Sequence, residues 1–197
     1  MKQLFILGAG LMVAMAAPVF ADTHDSYNLK LEDGQIADVV LTSSSIAADA
    51  ARLASSRSSN EAVKRYADQM IGEHENVNDA AARLASKLNV LPQDNPISKS
   101  LKMDAAADLA KLRLLSGKAF DEAYIRQKIV LYQHVLDAID NQLMPNAASM
   151  ELKTLLYSLF APFSQHLEHA QQIQEALNEP ARNRREDVRL QVTGQGV

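Results

Sequence analysis

Apolar side chains recur three and four positions apart between residues 66 and 88, through Tyr66, Met70, Val77, Ala81, Leu84 and Leu88. That spacing predicts an amphipathic helix, and His74 falls on the same stripe. A second clear stripe runs through Leu152, Leu156, Leu159, Phe163, His166, Ala170, Ile173 and Leu177, predicting a helix over about 150–178. A third, over about 118–144, carries Phe120, Tyr124, Leu131, Val135 and Ala138. The first helix, about 33–57 with Asp33 as its cap, is less sharply patterned because Thr42-Ser43-Ser44-Ser45 interrupts it. Two faces compete there: Ile36, Val40, Ala47, Ala51 and Ala54, or Ile46, Ala50 and Leu53 with Asp49 between them.

The punctuation divides these segments. Ser58 and Glu61 fit a capping box opening the second helix, which runs to about Leu88. Residues 89–98 read as a loop from their Asn, Pro and Asp content. A shorter helix over about 99–115 ends at Ser116-Gly117, and residues 144–149 form a turn. No strand pattern of any length precedes the tail. The predicted fold class is therefore all-α: a ferritin-like four-helix bundle over residues 31–178 with a short extra crossover helix.

The termini change the picture. Residues 1–21 begin with Lys2, continue through an apolar run and end in Val19-Phe20-Ala21, the pattern of a secretory signal peptide cleaved after Ala21. A membrane anchor would need about 20 apolar residues, and no later segment is apolar enough to span a bilayer. The expected location is periplasmic or secreted. Residues 22–30 read as a flexible N-terminal segment, and residues 179–197 mix charge, Pro and Gly as a disordered tail does. There is no cysteine for a disulfide or a lipid anchor.

The full chain has a formal charge of -4, and loss of the signal removes one cation and no acid. Such a balance lacks the basic footprint of a nucleic-acid binder. Without tryptophan there is little to stack bases or sugars on. No Gly-rich phosphate loop, nucleophile elbow or cysteine nucleophile is present. Seven scattered methionines read as core filler. Tyr66, Tyr124 and Tyr132 read first as core aromatics.

What chemistry remains lies in histidines and carboxylates. Bundle cores bind metals through such groups projecting from facing helices, usually with Glu-x-x-His on two of them. That motif is missing, but Glu73-His74 and His166-Leu167-Glu168-His169 stand on separate predicted helices. Positions 166 and 169 are three apart, so both imidazoles can face one side. Glu73, His74, His166 and His169 are the candidate metal ligands, with Asp49 as another possible carboxylate. The alternative is that His74 and His166 are hydrogen-bonded core residues and that His169 is exposed. Whether a divalent ion such as zinc, manganese or iron binds, or none, stays open. So do a protein partner and self-association. Reflecting the second helix through the turn near residue 58 sets His74 beside Thr42, about 11 Å from Asp49. The same operation near residue 147 sets His166 beside Lys128 and away from His134.

Three phrases together carry a resemblance. "AVKRYADQMIGEHENVNDAAARLASKLNV" pairs Met70 with His74, "LSGKAFDEAYI" holds a Leu-Ser-Gly, Phe-Asp and Tyr signature, and "LFAPFSQHLEHA" ends in His-Leu-x-x-Ala. In order and spacing over about residues 31–178 they resemble the bacterial domain-of-unknown-function family 4142. The resemblance implies an exported periplasmic or envelope bundle without an established enzymatic activity, for which inward polar residues make metal binding a standing idea. It also implies a histidine eight residues after Tyr124, where this chain has Tyr132. His134 lies about 200° around the helix from that position and cannot replace it. A glutamate implied in the first helix aligns with Ala47, and a proline implied in the fourth aligns with Ala161, beside Pro162. The expectation is an exported, non-catalytic binding module with a core polar cluster of His74, Tyr132 and His166. The alternative is a metal-binding or ferritin-like oxidase module.

Overall fold

The computed structural model describes residues 30–179. The expected signal peptide, residues 22–29 of the N-terminal segment and residues 180–197 of the tail lie outside the described residues. Six α-helices occur among the described residues: α1 (Asp33–Arg57), α2 (Glu61–Lys87), α3 (Pro96–Leu114), α4 (Gly117–Ala138), the single turn α5 (Met144–Asn146) and α6 (Met150–Asn178). Ile139–Leu143 forms a π-helical turn that extends α4. No strand occurs among the described residues.

The connections define the topology. α1 and α2 form an antiparallel hairpin, and α4 packs on α6 in another. Between the hairpins α3 runs back along α1. Its start is held where the Asn95 side chain donates to the Gln35 carbonyl at 2.9 Å. Its end is held where Arg57 donates to the carbonyls of Arg113 at 3.0 Å and Leu115 at 2.8 Å. A cation near terminal carbonyls offsets the helix dipole there. α2 and α4 therefore run parallel, joined by one crossover, which is the ferritin-like connection.

Local chemistry sets the helix ends, with two corrections to the expected caps. Glu32, not Asp33, caps α1, and its N–H donates to the Gln35 side chain at 3.1 Å. Asp33 instead reaches across to accept from the N–H groups of Ala148 at 2.8 Å and Ser149 at 3.0 Å, tying the start of α1 to the start of α6. Asn60, not Ser58, caps α2, accepting from Ala62 and Val63. Asparagine reaches the free N–H groups of a first turn well, and Ser58, one residue past α1, accepts from the Asn60 N–H at 3.0 Å. The expected third helix over 118–144 is divided at Ile139 by the π turn. Gly34 allows the α2–α3 loop to cross α1, because a Cβ there would lie 2.4 Å from the Leu91 carbonyl oxygen.

Of the competing faces of α1, the one through Ile36, Val40, Ala47, Ala51 and Ala54 is buried. The face through Ile46, Ala50 and Leu53 is half-buried and looks toward α3. Alanines on α1 and α2 let that hairpin close tightly. Leucines and aromatics of α4 and α6 supply most of the remaining apolar burial.

Candidate functional site

Three helices bring the inward histidines together. His74 follows Met70 by one turn on α2, and His166 follows Phe163 by nearly one on α6, so both ride apolar stripes into the core. Tyr132 enters from α4. The His74 and His166 rings stand 5.6 Å apart between centroids. Tyr132 lies 5.9 Å from His74 and 5.3 Å from His166, and Phe163 packs against all three rings.

Each polar side chain of the cluster makes at least one hydrogen bond. His74 Nε2 and the Tyr132 hydroxyl are hydrogen-bonded at 2.7 Å, and that hydroxyl lies 3.0 Å from Met70 Sδ. His166 Nε2 bonds the Glu73 carboxylate, whose other oxygen accepts from Gln69 at 2.7 Å. The Tyr66 hydroxyl donates to the His166 carbonyl at 3.1 Å. Only the Nδ1 atoms of the two histidines lack a protein partner in this interior cluster.

Burial dictates the charge states. It lowers the His74 pKa to about 3, with help from the nearby Lys128 and His166. His166 is lowered by burial too, against the opposing pull of Glu73. Burial likewise raises Tyr132 well above its ordinary value. The cluster is thus a neutral imidazole bonded to a neutral phenol, beside a second histidine that meets a carboxylate at the surface.

Of the candidate ligands, Glu73, His166 and His169 border one polar hollow on the α2–α6 face, and His74 lies apart from it. His74 is committed to Tyr132, and Glu73 to His166 and Gln69. His169 is half-buried, with its ring edge-on to Tyr66 at 5.1 Å. No group of three His, Cys, Asp or Glu among the described residues is arranged to hold a metal ion. The donor set therefore does not fit a resident metal without rearrangement. Asp49 is exposed and paired with Arg52 at 2.8 Å, and His134 is exposed.

The expected level of His74 needs correction. Cross-helix bonds from Asn78 to Ser45 and from Ser55 to Asp68, with the Arg52–Glu75 pair, place His74 near Asp49 rather than Thr42. Reflection about the link ignores the tilt and offset of the two helices. Asp49 still misses the cluster because it points outward.

Lys128 is the residue that sequence reasoning passed over. It is 1% exposed, donates to the Ala47 carbonyl at 2.8 Å and stands 5.4 Å over the Tyr124 ring. Burial depresses its pKa to about 7, against a small upward pull from Asp49. The signal was its position midway between Tyr124 and Tyr132, four residues from each.

The all-α architecture, single crossover and inward histidine–tyrosine cluster define a helical-bundle protein of ferritin-like topology. The chain belongs to the family described as Domain of unknown function (DUF4142), whose model matches residues 20–173. No curated protein and no solved structure matches it.

Proposed function

We propose that the protein is an exported, periplasmic helical bundle with a non-catalytic binding role in the cell envelope or its stress tolerance. The observation that carries this reading is the pairing of the inward polar groups with one another: His74 Nε2 with Tyr132, and His166 Nε2 with Glu73. A buried polar network of this kind fixes one core arrangement. The N-terminal residues 1–21, with their signal-peptide pattern, support export. No described helix is long and apolar enough to cross a membrane.

The metal-binding or oxidase reading is kept by one feature. Glu73, His166, Glu168 and His169 border a polar hollow of about 310 Å3 on the α2–α6 face. Ligation there requires Glu73 to release His166, and His74 could join only by releasing Tyr132. Elemental analysis of untagged protein purified from periplasm tests both readings. Substoichiometric metal, unchanged in a His74→Ala, His166→Ala double variant, is expected. One equivalent lost in that variant replaces the first reading with the second. Cell fractionation and N-terminal sequencing should find the mature chain in periplasm beginning at Asp22.

A further inference from the structure

A cavity of about 450 Å3 lies between α1, α3 and α4, away from the histidine cluster. Ile46, Ala50, Leu101, Leu109 and Leu131 give it apolar walls, and all of them are only half-buried. α3 covers this space without filling it: of its residues only Ser98 and Leu112 are fully buried. Asn95 and Arg57 pin its ends, while its middle spans the cavity. A volume of that order accommodates a small organic molecule, and apolar walls left in contact with water favour a guest that covers them.

The accessible charge on the lining is mostly acidic. Asp104 and Asp108 stand one turn apart on α3 and border the cavity together with Asp49 of α1. Asp49 is paired with Arg52 at 2.8 Å, and Asp108 with Lys111 at 3.4 Å. Asp104 is exposed, accepts from the Ser100 hydroxyl at 3.4 Å and forms no ion pair among the described residues. Of the lining cations, Lys111 is engaged by Asp108, and the Lys128 ammonium is turned into the core, to the Ala47 carbonyl and the Tyr124 ring. The mouth thus holds a carboxylate without a counter-ion beside an apolar interior. An anionic guest would be repelled there, and a neutral one would leave the carboxylate unpaired. A cation with an apolar body suits both parts. Its charge stays at the wet mouth, where no desolvation is required, and its hydrocarbon covers the walls. The charge of Lys128 behind the inner wall opposes deeper entry of the cationic head, which fixes the guest head-outward.

We propose that this cavity binds a small amphipathic amine, its ammonium paired with Asp104 at the mouth and its hydrocarbon part lying against Ile46, Leu101, Leu109 and Leu131. The proposal rests on the binding role above and gives it a ligand class. It uses none of the histidine cluster, so its failure would leave the tests of location and metal content untouched.

Calorimetric titration of the mature chain with octylammonium chloride tests the assignment, with octan-1-ol and sodium octanoate as comparisons. Saturable one-to-one binding of octylammonium is expected, roughly tenfold tighter than either comparison. The Asp104→Asn, Asp108→Asn double variant changes only residues outside the core, so its circular dichroism should stay helical. It should bind octylammonium roughly tenfold more weakly and octanol equally well. In nuclear magnetic resonance spectra of the unaltered chain, octylammonium should shift the methyl resonances of Ile46, Leu101 and Leu131. Absence of saturable binding, equal affinity for octanol or octanoate, unchanged binding by the double variant, or shifts that spare those methyl groups would each overturn the proposal.

Discussion

His74 and Lys128 are equally buried, each 1% exposed, and stand close enough that the charge of one depresses the protonation of the other. Their surroundings nevertheless differ in kind. His74 enters an aromatic interior as a neutral ring, its Nε2 bonded to one hydroxyl and its Nδ1 without a partner. Lys128 brings an ammonium that meets one carbonyl and the face of the Tyr124 ring. Burial alone does not distinguish a neutral core group from one that carries a charge at a cost; the protonation state it imposes does. The histidine side of the bundle is consequently expected to behave as structure, and the lysine side as a group held at a cost.

Removing the aromatic support should have the largest effect. Phe163 touches His74, Tyr132 and His166, so Phe163→Ala is expected to cost about 3–5 kcal/mol in chemical denaturation. A loss below 1 kcal/mol would mean that the cluster is not a packed unit.

Lys128→Met should act in the opposite direction, stabilising the fold by about 1–4 kcal/mol near pH 6, because a methionine fills similar space without a buried charge. The pH dependence sharpens the contrast. Lys128 titrates near 7 when folded and near 10.5 when unfolded. Below pH 7 both states hold the proton and the folded state bears the burial cost. Above it the unfolded state holds more protons, so stability should rise with pH by up to about 1.4 kcal/mol per unit. The rise should extend from near 7 toward 9.5, before tyrosines of the unfolded chain ionise. The Lys128→Met variant should lack this component. Equal slopes for both proteins would show that Lys128 is solvated in solution.

His74 gives the complementary prediction. Its folded pKa of about 3 lies below the ordinary 6.5, so the unfolded state binds the extra proton between those values. Its contribution to stability is present above pH 6.5 and is lost as pH falls toward 3. Its ring resonances should stay those of a neutral imidazole from pH 8 down to 4.5 in nuclear magnetic resonance spectra. A midpoint near 6 would contradict the buried, hydroxyl-bonded assignment. The smallest effect is expected from Tyr132→Phe, which keeps the ring and removes one hydrogen bond, at about 1 kcal/mol.

The buried side of α6 was fully legible in the sequence, because leucines and aromatics repeat at helical spacing through His166 without interruption. The fold class followed from four such segments and the breaks between them. The face of α1 was ambiguous because alanine and serine mark burial weakly, and both faces are in fact used, one in the core and one in the cavity wall. The π turn at Ile139–Leu143 left no pattern in the apolar spacing. Lys128 was missed because a lysine is expected in solvent, although its spacing from Tyr124 and Tyr132 placed it on the inner face. Tyr132 was accessible through the family resemblance, whereas the partnership of Glu73 with His166 required the relative positions of α2 and α6.

Thermal melting of wild-type and Tyr132→His protein, each with and without zinc or manganese, tests most directly whether the histidine interior holds together without a metal. Histidine at position 132 would replace the phenol with a third imidazole facing His74 and His166. No metal-dependent rise in Tm is expected for the wild type, and a rise is expected for Tyr132→His. A large metal-dependent rise in the wild type, to which Tyr132→His adds nothing, would contradict it.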